Sequence, residues 1–233
     1  MRTEEDPDPA WVAGLTGRST ALAALYVRKA QGERALFQHL AREHAREGRT
    51  SYVEIDAPLE LHALVRLMHP RHVVEVGVSS GVSSAYLLDA LERNGRGTLH
   101  SVDLPTFPRR RPRPGDRAGR SWSLPLGRGS GWAVPFPLRK RWDLRLGDKR
   151  VVLPLLSEEL PSIELFVYDV PHDDRGAYRE FLGVSARMPS GAVAIADHGP
   201  GGGRCTALRR WARRRGGPPL GRSGLGLYGF RCP

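Results

Sequence analysis

The chain has 233 residues, of which 40% are hydrophobic and 26% charged, with a formal net charge of +11. Those shares are ordinary for a soluble globular protein, and no stretch approaches the roughly 18 apolar residues that a membrane helix needs, so no membrane partner is expected. The two cysteines, Cys205 and Cys232, exclude a disulfide framework or a cysteine metal knuckle as the basis of the fold. The length fits one domain with a single core. Nearly all of the positive charge is arginine, since Lys29, Lys140 and Lys149 are the only lysines. It reads first as a solvated basic surface and second as a nucleic-acid face. The opening MRTEEDPDPA lacks the pattern of a secretory signal, so a cytoplasmic location is expected.

Residues 1 to about 17 carry few apolar groups and are expected to be loose. From Ser19 the spacing predicts a helical cap over residues 18–57. Its apolar stripe is Ala21, Leu22, Leu25, Tyr26, Leu36, Phe37 and Leu40, with a break near Gly32 and an end at Gly48. This amphipathic cap could pack against a second copy of the chain in a homo-oligomer. A helix follows over Pro58 to Met68, with Pro58 in its first turn. HVVEVG then predicts a buried parallel strand, Ser83 to Asn94 a helix, and TLHSVDLP the next strand. Strand, glycine turn, helix and strand in that order make a right-handed βαβ unit.

Pro105 to about Arg141 is dense in Pro, Gly and Arg, with Trp122, Trp132 and Phe136 among them, and reads as an insertion over the sheet. WDLRLGD predicts a strand, Lys149 to Leu156 a short helix, and IELFVYD a buried strand. Ala177 to Met188 is helical, GAVAIAD another strand, Thr206 to Arg214 a basic helix, and LGLYGF a last strand, antiparallel at the sheet edge. The sum is a three-layer, Rossmann-like, doubly wound α/β fold with a mostly parallel sheet and an N-terminal helical cap. The main domain would cover residues 58–233.

The turn E-V-G-V-S-S-G, Glu75 to Gly81, must leave a strand sharply and bring backbone close to a ligand. Side chains at Gly77 or Gly81 would take the space a ligand needs, while Ser79 and the amides near Ser83 and Ser84 can hold its polar groups. Asp103 ends the following strand, where a carboxylate can accept ribose hydroxyls. VVEVGVSSGVSSAYLLDAL followed by LHSVDLP resembles the first two motifs of class I S-adenosylmethionine-dependent methyltransferases. GWAVPFPLRKRWDLRLGDKRVVLPLL, IELFVYDVPHDDRGAY and SGAVAIADH resemble the later motifs of methyltransferase family 24, a bacterial group related to tailoring O-methyltransferases. The resemblance covers roughly residues 58 to 198. It implies S-adenosyl-L-methionine as cofactor, with Glu75, Gly77 and Gly81 at its methionine end, Asp103 on the ribose and Asp148 near the adenine. From the residues alone, Glu75 could instead cap local amides and Asp148 could be a helix N-cap.

Methyl transfer requires an aligned nucleophile that loses a proton. Asp169 and His172, and Asp197 and His198, fall at the carboxyl ends of predicted strands. Asp169, Asp197 and His198 could hold a divalent cation, as a similar acid arrangement does in catechol-type O-methyltransferases. Family 24 relatives tend toward paired acids where this chain has Asp197 and His198, and histidine suits softer ions than magnesium. His172 is the metal-free alternative, a general base, unless it bonds only within its own loop. The expected function is O-methylation of a small-molecule hydroxyl. RNA or protein methylation would need the arginines of 109–120 and those of 213–215 to form one continuous face. A non-catalytic scaffold of the same fold is the third reading. A dehydrogenase is disfavoured, because the turn is GxxxG and lacks the third glycine.

Overall fold

A computed structural model describes residues 6–47, 57–105, 124–170, 174–197, 206–222 and 226–233. The predicted site residues His172 and His198, and the arginines of 109–120, lie outside the described residues.

The chain begins with three helices, α1 (Pro9–Thr16), α2 (Thr20–Gln31) and α3 (Arg34–Arg46). The expectation that residues up to 17 are loose is corrected by α1. Asp8 accepts the amide of Trp11, Pro9 opens the helix and Gly17 closes it in the left-handed conformation. Trp11, Val12 and Leu15 are buried, and the Trp11 indole donates to the Leu220 carbonyl at 3.1 Å, so a few apolar residues suffice where the C-terminal strands complete their pocket. The predicted stripe is shifted on α2 and kept on α3 except at Phe37. Ala23, Val27, Ala30, Leu36 and Leu40 face inward, while Leu22, Leu25 and Phe37 are exposed. Tight helix packing selects the small residues.

α4 (Pro58–Met68) leads into β1 (His72–Val76), α5 (Val82–Asn94) and β2 (Thr98–Asp103). A 3₁₀ turn at Phe136–Arg141 precedes β3 (Trp142–Leu146), α6 (Lys149–Glu159), β4 (Leu165–Tyr168), α7 (Asp174–Ser185) and β5 (Val193–Asp197). α8 (Thr206–Arg214), β6 (Leu220–Gly221) and β7 (Leu227–Arg231) complete the order. α7 starts earlier and stops sooner than its apolar pattern implies. The Arg187 and Met188 amides bond back to Val184 and Ser185 as single turns, and Pro189 prevents continuation.

The strands form one sheet in the order β3-β2-β1-β4-β5-β7-β6. β1 to β5 are parallel, β7 runs antiparallel to β5, and the two-residue β6 pairs antiparallel with β7. β6 is an addition to the predicted strands and displaces β7 from the edge. Helices α1, α2, α4 and α5 pack on one face with Val73, Leu99, Leu165 and Ile195. Helices α6, α7 and α8 cover the other with Val74, Val102, Phe166 and Ala194. On that side Phe166, Phe181, Trp211 and Phe230 form a run of rings with centroids 5.4 to 5.5 Å apart. The strand order reverses at β1, between β2 and β4, and a doubly wound sheet opens a crevice at such a reversal.

Candidate active site

The turn after β1 is built from its buried acid upward. Glu75 has no exposed surface, and its carboxylate accepts the hydroxyls of Ser83, Ser84 and Ser101, each at 2.7 Å. Trp142 donates its indole N–H to the Ser101 hydroxyl at 2.8 Å, extending the network to β3. Burial pushes the Glu75 carboxyl above the usual range, and the bonds from Ser84, Ser83 and Ser101 pull it back. The carboxylate therefore ties β1 to the start of α5 and to β2. Its partners are hydroxyls, not the amides weighed from the sequence.

Gly77 and Gly81 have φ of +94° and +93°, which only glycine adopts readily. The fold supplies a reason for them besides ligand space. A Cβ at Gly77 would lie 1.9 Å from the Asp169 carbonyl oxygen, and one at Gly81 would lie 2.6 Å from Val134 and 2.9 Å from Gly131. The atoms displaced would be the protein's own. Gly77 lets the ends of β1 and β4 meet, and Gly81 admits the segment that follows Leu124. That segment lies on the turn: the Gly131 amide donates to Ser79 O at 2.8 Å and the Ala133 amide to Ser80 O at 3.0 Å. From α3, His44 meets the Ser80 hydroxyl at 2.9 Å and packs edge-on to Trp132, and His39 reaches the Ala133 carbonyl at 3.1 Å.

Asp103 ends β2 beside this turn. Its Oδ1 accepts the Val78 amide at 3.2 Å, and its Oδ2 accepts the Ser130 hydroxyl. Burial raises the Asp103 carboxyl, against the opposing bonds from Ser130, Val78, Leu104 and Ser79. A carboxylate has about four acceptor positions, so an incoming diol must share or displace the Ser130 hydroxyl. Sequence reasoning missed Ser130, His44 and His39. Ser130 sits 27 residues beyond Asp103 in a stretch without periodicity, and no local pattern connects them.

Asp148 caps α6, accepting the Arg150 amide at 2.9 Å, and the Arg150 guanidinium beside it holds its carboxyl down at about 2. This is the N-cap reading weighed from the sequence. Asp169 and Asp197 directly follow Tyr168 and Ala196, which are register partners on β4 and β5, so the two acids end adjacent strands. Asp197 is buried. Among the described residues, Glu33, His62 and Asp89 also bring three candidate ligand atoms within 4.8 Å of one another. Arg93 already bonds both of those carboxylates, so its guanidinium is the cation there.

The geometry is that of a doubly wound, Rossmann-like α/β domain, with an acid and a glycine turn at the point where strand order reverses. A family model described as a methyltransferase domain matches residues 74–198, more than half of the chain, and the chain belongs to that family. Among solved structures, the chain is similar to an O-methyltransferase from Bacillus cereus in complex with SAH. The identity is 16% and the TM-score 0.54, covering 84% of this chain and 90% of that one. It is similar to the O-methyltransferase TomG from Streptomyces achromogenes in complex with SAM, at 17% identity and TM-score 0.54, with 85% and 90% covered. An O-methyltransferase from Klebsiella pneumoniae described as putative matches at 18% identity and TM-score 0.52, with 83% and 87% covered. No curated protein matches the chain. Among the described residues, no helix is long and apolar enough to cross a membrane.

Proposed function

We propose that the chain is an S-adenosylmethionine-dependent methyltransferase acting on the hydroxyl of a small molecule. The observation that carries the reading is Asp103, held by the Val78 amide beside the Gly77–Gly81 turn, with a hydroxyl already donating to its outer oxygen. A ribose presents hydroxyls of the same kind. The structural neighbours bound to SAH and SAM support the choice of cofactor, and all three neighbours are described as O-methyltransferases.

When bound, the cofactor supplies an electrophilic methyl carbon on a sulfonium. The chain's residues bind, orient and move a proton. Asp103 takes the ribose hydroxyls, and the Glu75 network fixes the turn without touching the ligand. Asp169, at the carboxyl end of β4, would face the acceptor hydroxyl and serve as one ligand of a cation. Asp197 beside it, with His198, would complete a cation site that acidifies the hydroxyl, whereas His172 would be the base without a metal. Chelation distinguishes these: a cation site loses turnover in EDTA and regains it with added divalent metal, and a histidine base is indifferent to both.

The binding test is calorimetric titration with S-adenosylhomocysteine. Asp103→Asn is expected to weaken binding about tenfold or more, since a hydrogen bond to a charged group is worth about 1.5–3 kcal/mol. Equal affinity in the variant would remove the basis of the reading.

A further inference from the structure

Helix α8 presents Arg209, Arg210, Arg213 and Arg214 within two turns. None of the four forms an ion pair among the described residues. They are spaced i,i+4 as two like-charged pairs, Arg209 with Arg213 and Arg210 with Arg214, an arrangement that destabilises a helix. Arginines elsewhere near the sheet are neutralised: Arg128 by Glu47, Arg145 by Asp143 and Glu159, and Arg150 by Asp148. Arg215, which the sequence grouped with Arg213 and Arg214, turns inward to the Ser185 and Met188 carbonyls and leaves the cationic face.

Three of the four guanidiniums rest on rings in place of acids. Arg210 lies 4.3 Å and Arg214 5.9 Å from the Tyr178 ring centroid, and Arg209 lies 5.4 Å from that of Tyr228. Thr206, Arg209, Arg210 and Arg213 line an open cavity of about 510 Å³. The Nε–H of Arg209 is buried with no acceptor among the described residues, an unfavourable arrangement for a charged group. Tyr228 pairs with Ala196, the residue before Asp197, and Tyr178 stands in the second turn of the helix that follows β4. The cavity therefore lies toward the sheet end where Asp169 and Asp197 stand.

We propose that this arginine face is a binding site for a phosphate-bearing small molecule, the anionic end of the methyl acceptor. The acceptor role rests on the methyltransferase reading above, while the anion site stands on the cavity alone. Phosphate oxygens match guanidinium donors in geometry and charge and relieve the i,i+4 repulsion. A cavity lined by three arginines of a single short helix suits a small polyanion better than nucleic acid, which follows an extended basic stripe.

The test titrates the full chain with inorganic pyrophosphate and, separately, with S-adenosylhomocysteine. Pyrophosphate is expected to bind with a strong salt dependence. Arg209→Gln, and independently the exposed pair Arg210→Gln/Arg213→Gln, are each expected to weaken it about tenfold. S-adenosylhomocysteine binding stays unchanged in both variants, which shows that they are folded. Absent pyrophosphate binding, or binding insensitive to both variants, overturns the site. A single-stranded RNA that binds far tighter than pyrophosphate and loses that advantage in the same variants overturns the small-molecule assignment. Loss of S-adenosylhomocysteine binding in the wild type defeats the methyltransferase reading and leaves the pyrophosphate result to be judged by itself.

Discussion

Asp103 and Glu75 are both buried carboxylates at the ends of neighbouring strands, and their partners separate their roles. Asp103 shares its oxygens with backbone amides and one replaceable hydroxyl, that of Ser130. Ser130→Ala vacates an acceptor position, so S-adenosylhomocysteine is expected to bind about three- to tenfold tighter in calorimetry. Weaker binding would mean that Ser130 supports the ribose and does not compete with it. Glu75 is closed off by three serines, and its folded carboxyl titrates above the ordinary 4.5. Above that ordinary value the folded chain holds a proton that the unfolded chain has lost, so stability falls as pH rises from about 4.5 through the raised folded value, then levels. Thermal melts of wild type and Glu75→Gln across this window should show the wild type losing ground with rising pH. A constant difference between them would contradict the buried charge.

Among the elements, the β1–α5 turn carries most of the constraint. Gly77→Ala must place a methyl against the Asp169 carbonyl in a backbone conformation that alanine avoids. The expected loss is about 3 kcal/mol or more in denaturant unfolding. Gly95, which ends α5 at φ +68° with nothing within 4 Å of its Cβ position, is the control. Alanine there should cost only about 1 kcal/mol. Gly77 was readable as a turn residue. The strand that Gly77 approaches lies some ninety residues downstream, so only the fold separates a severe substitution from a mild one.

At the scale of the molecule, the two ends of the chain are joined through a buried ion pair. Arg222 donates to Glu60 on α4 at 3.0 Å with both side chains about 95% buried, and it also reaches the Asp6 carbonyl. Arg222→Ala would strand the Glu60 charge, and the expected cost is about 3–5 kcal/mol. Arg93→Ala, whose side chain is 45% exposed, should cost about 1 kcal/mol or less. Similar losses for the two arginines would show that the Arg222 pair is hydrated and ties nothing together. The same contacts explain the ordered α1, whose Trp11 is seated against the C-terminal strand at Leu220.

The αβ alternation, the parallel strands and the placing of Glu75, Gly77, Gly81, Asp103, Asp169 and Asp197 were legible in the order of residues, because apolar runs and glycine turns report local periodicity. The N-cap role weighed for Asp148 was local as well. Only tertiary structure decided the order of α1, the short β6, the shifted stripe of α2, and the protein atoms packed against Gly77 and Gly81. It also brought Ser130 to Asp103, His44 to Ser80 and Arg222 to Glu60. Each of those contacts joins residues far apart in the chain, and their free energy comes from desolvated partners that no local pattern records.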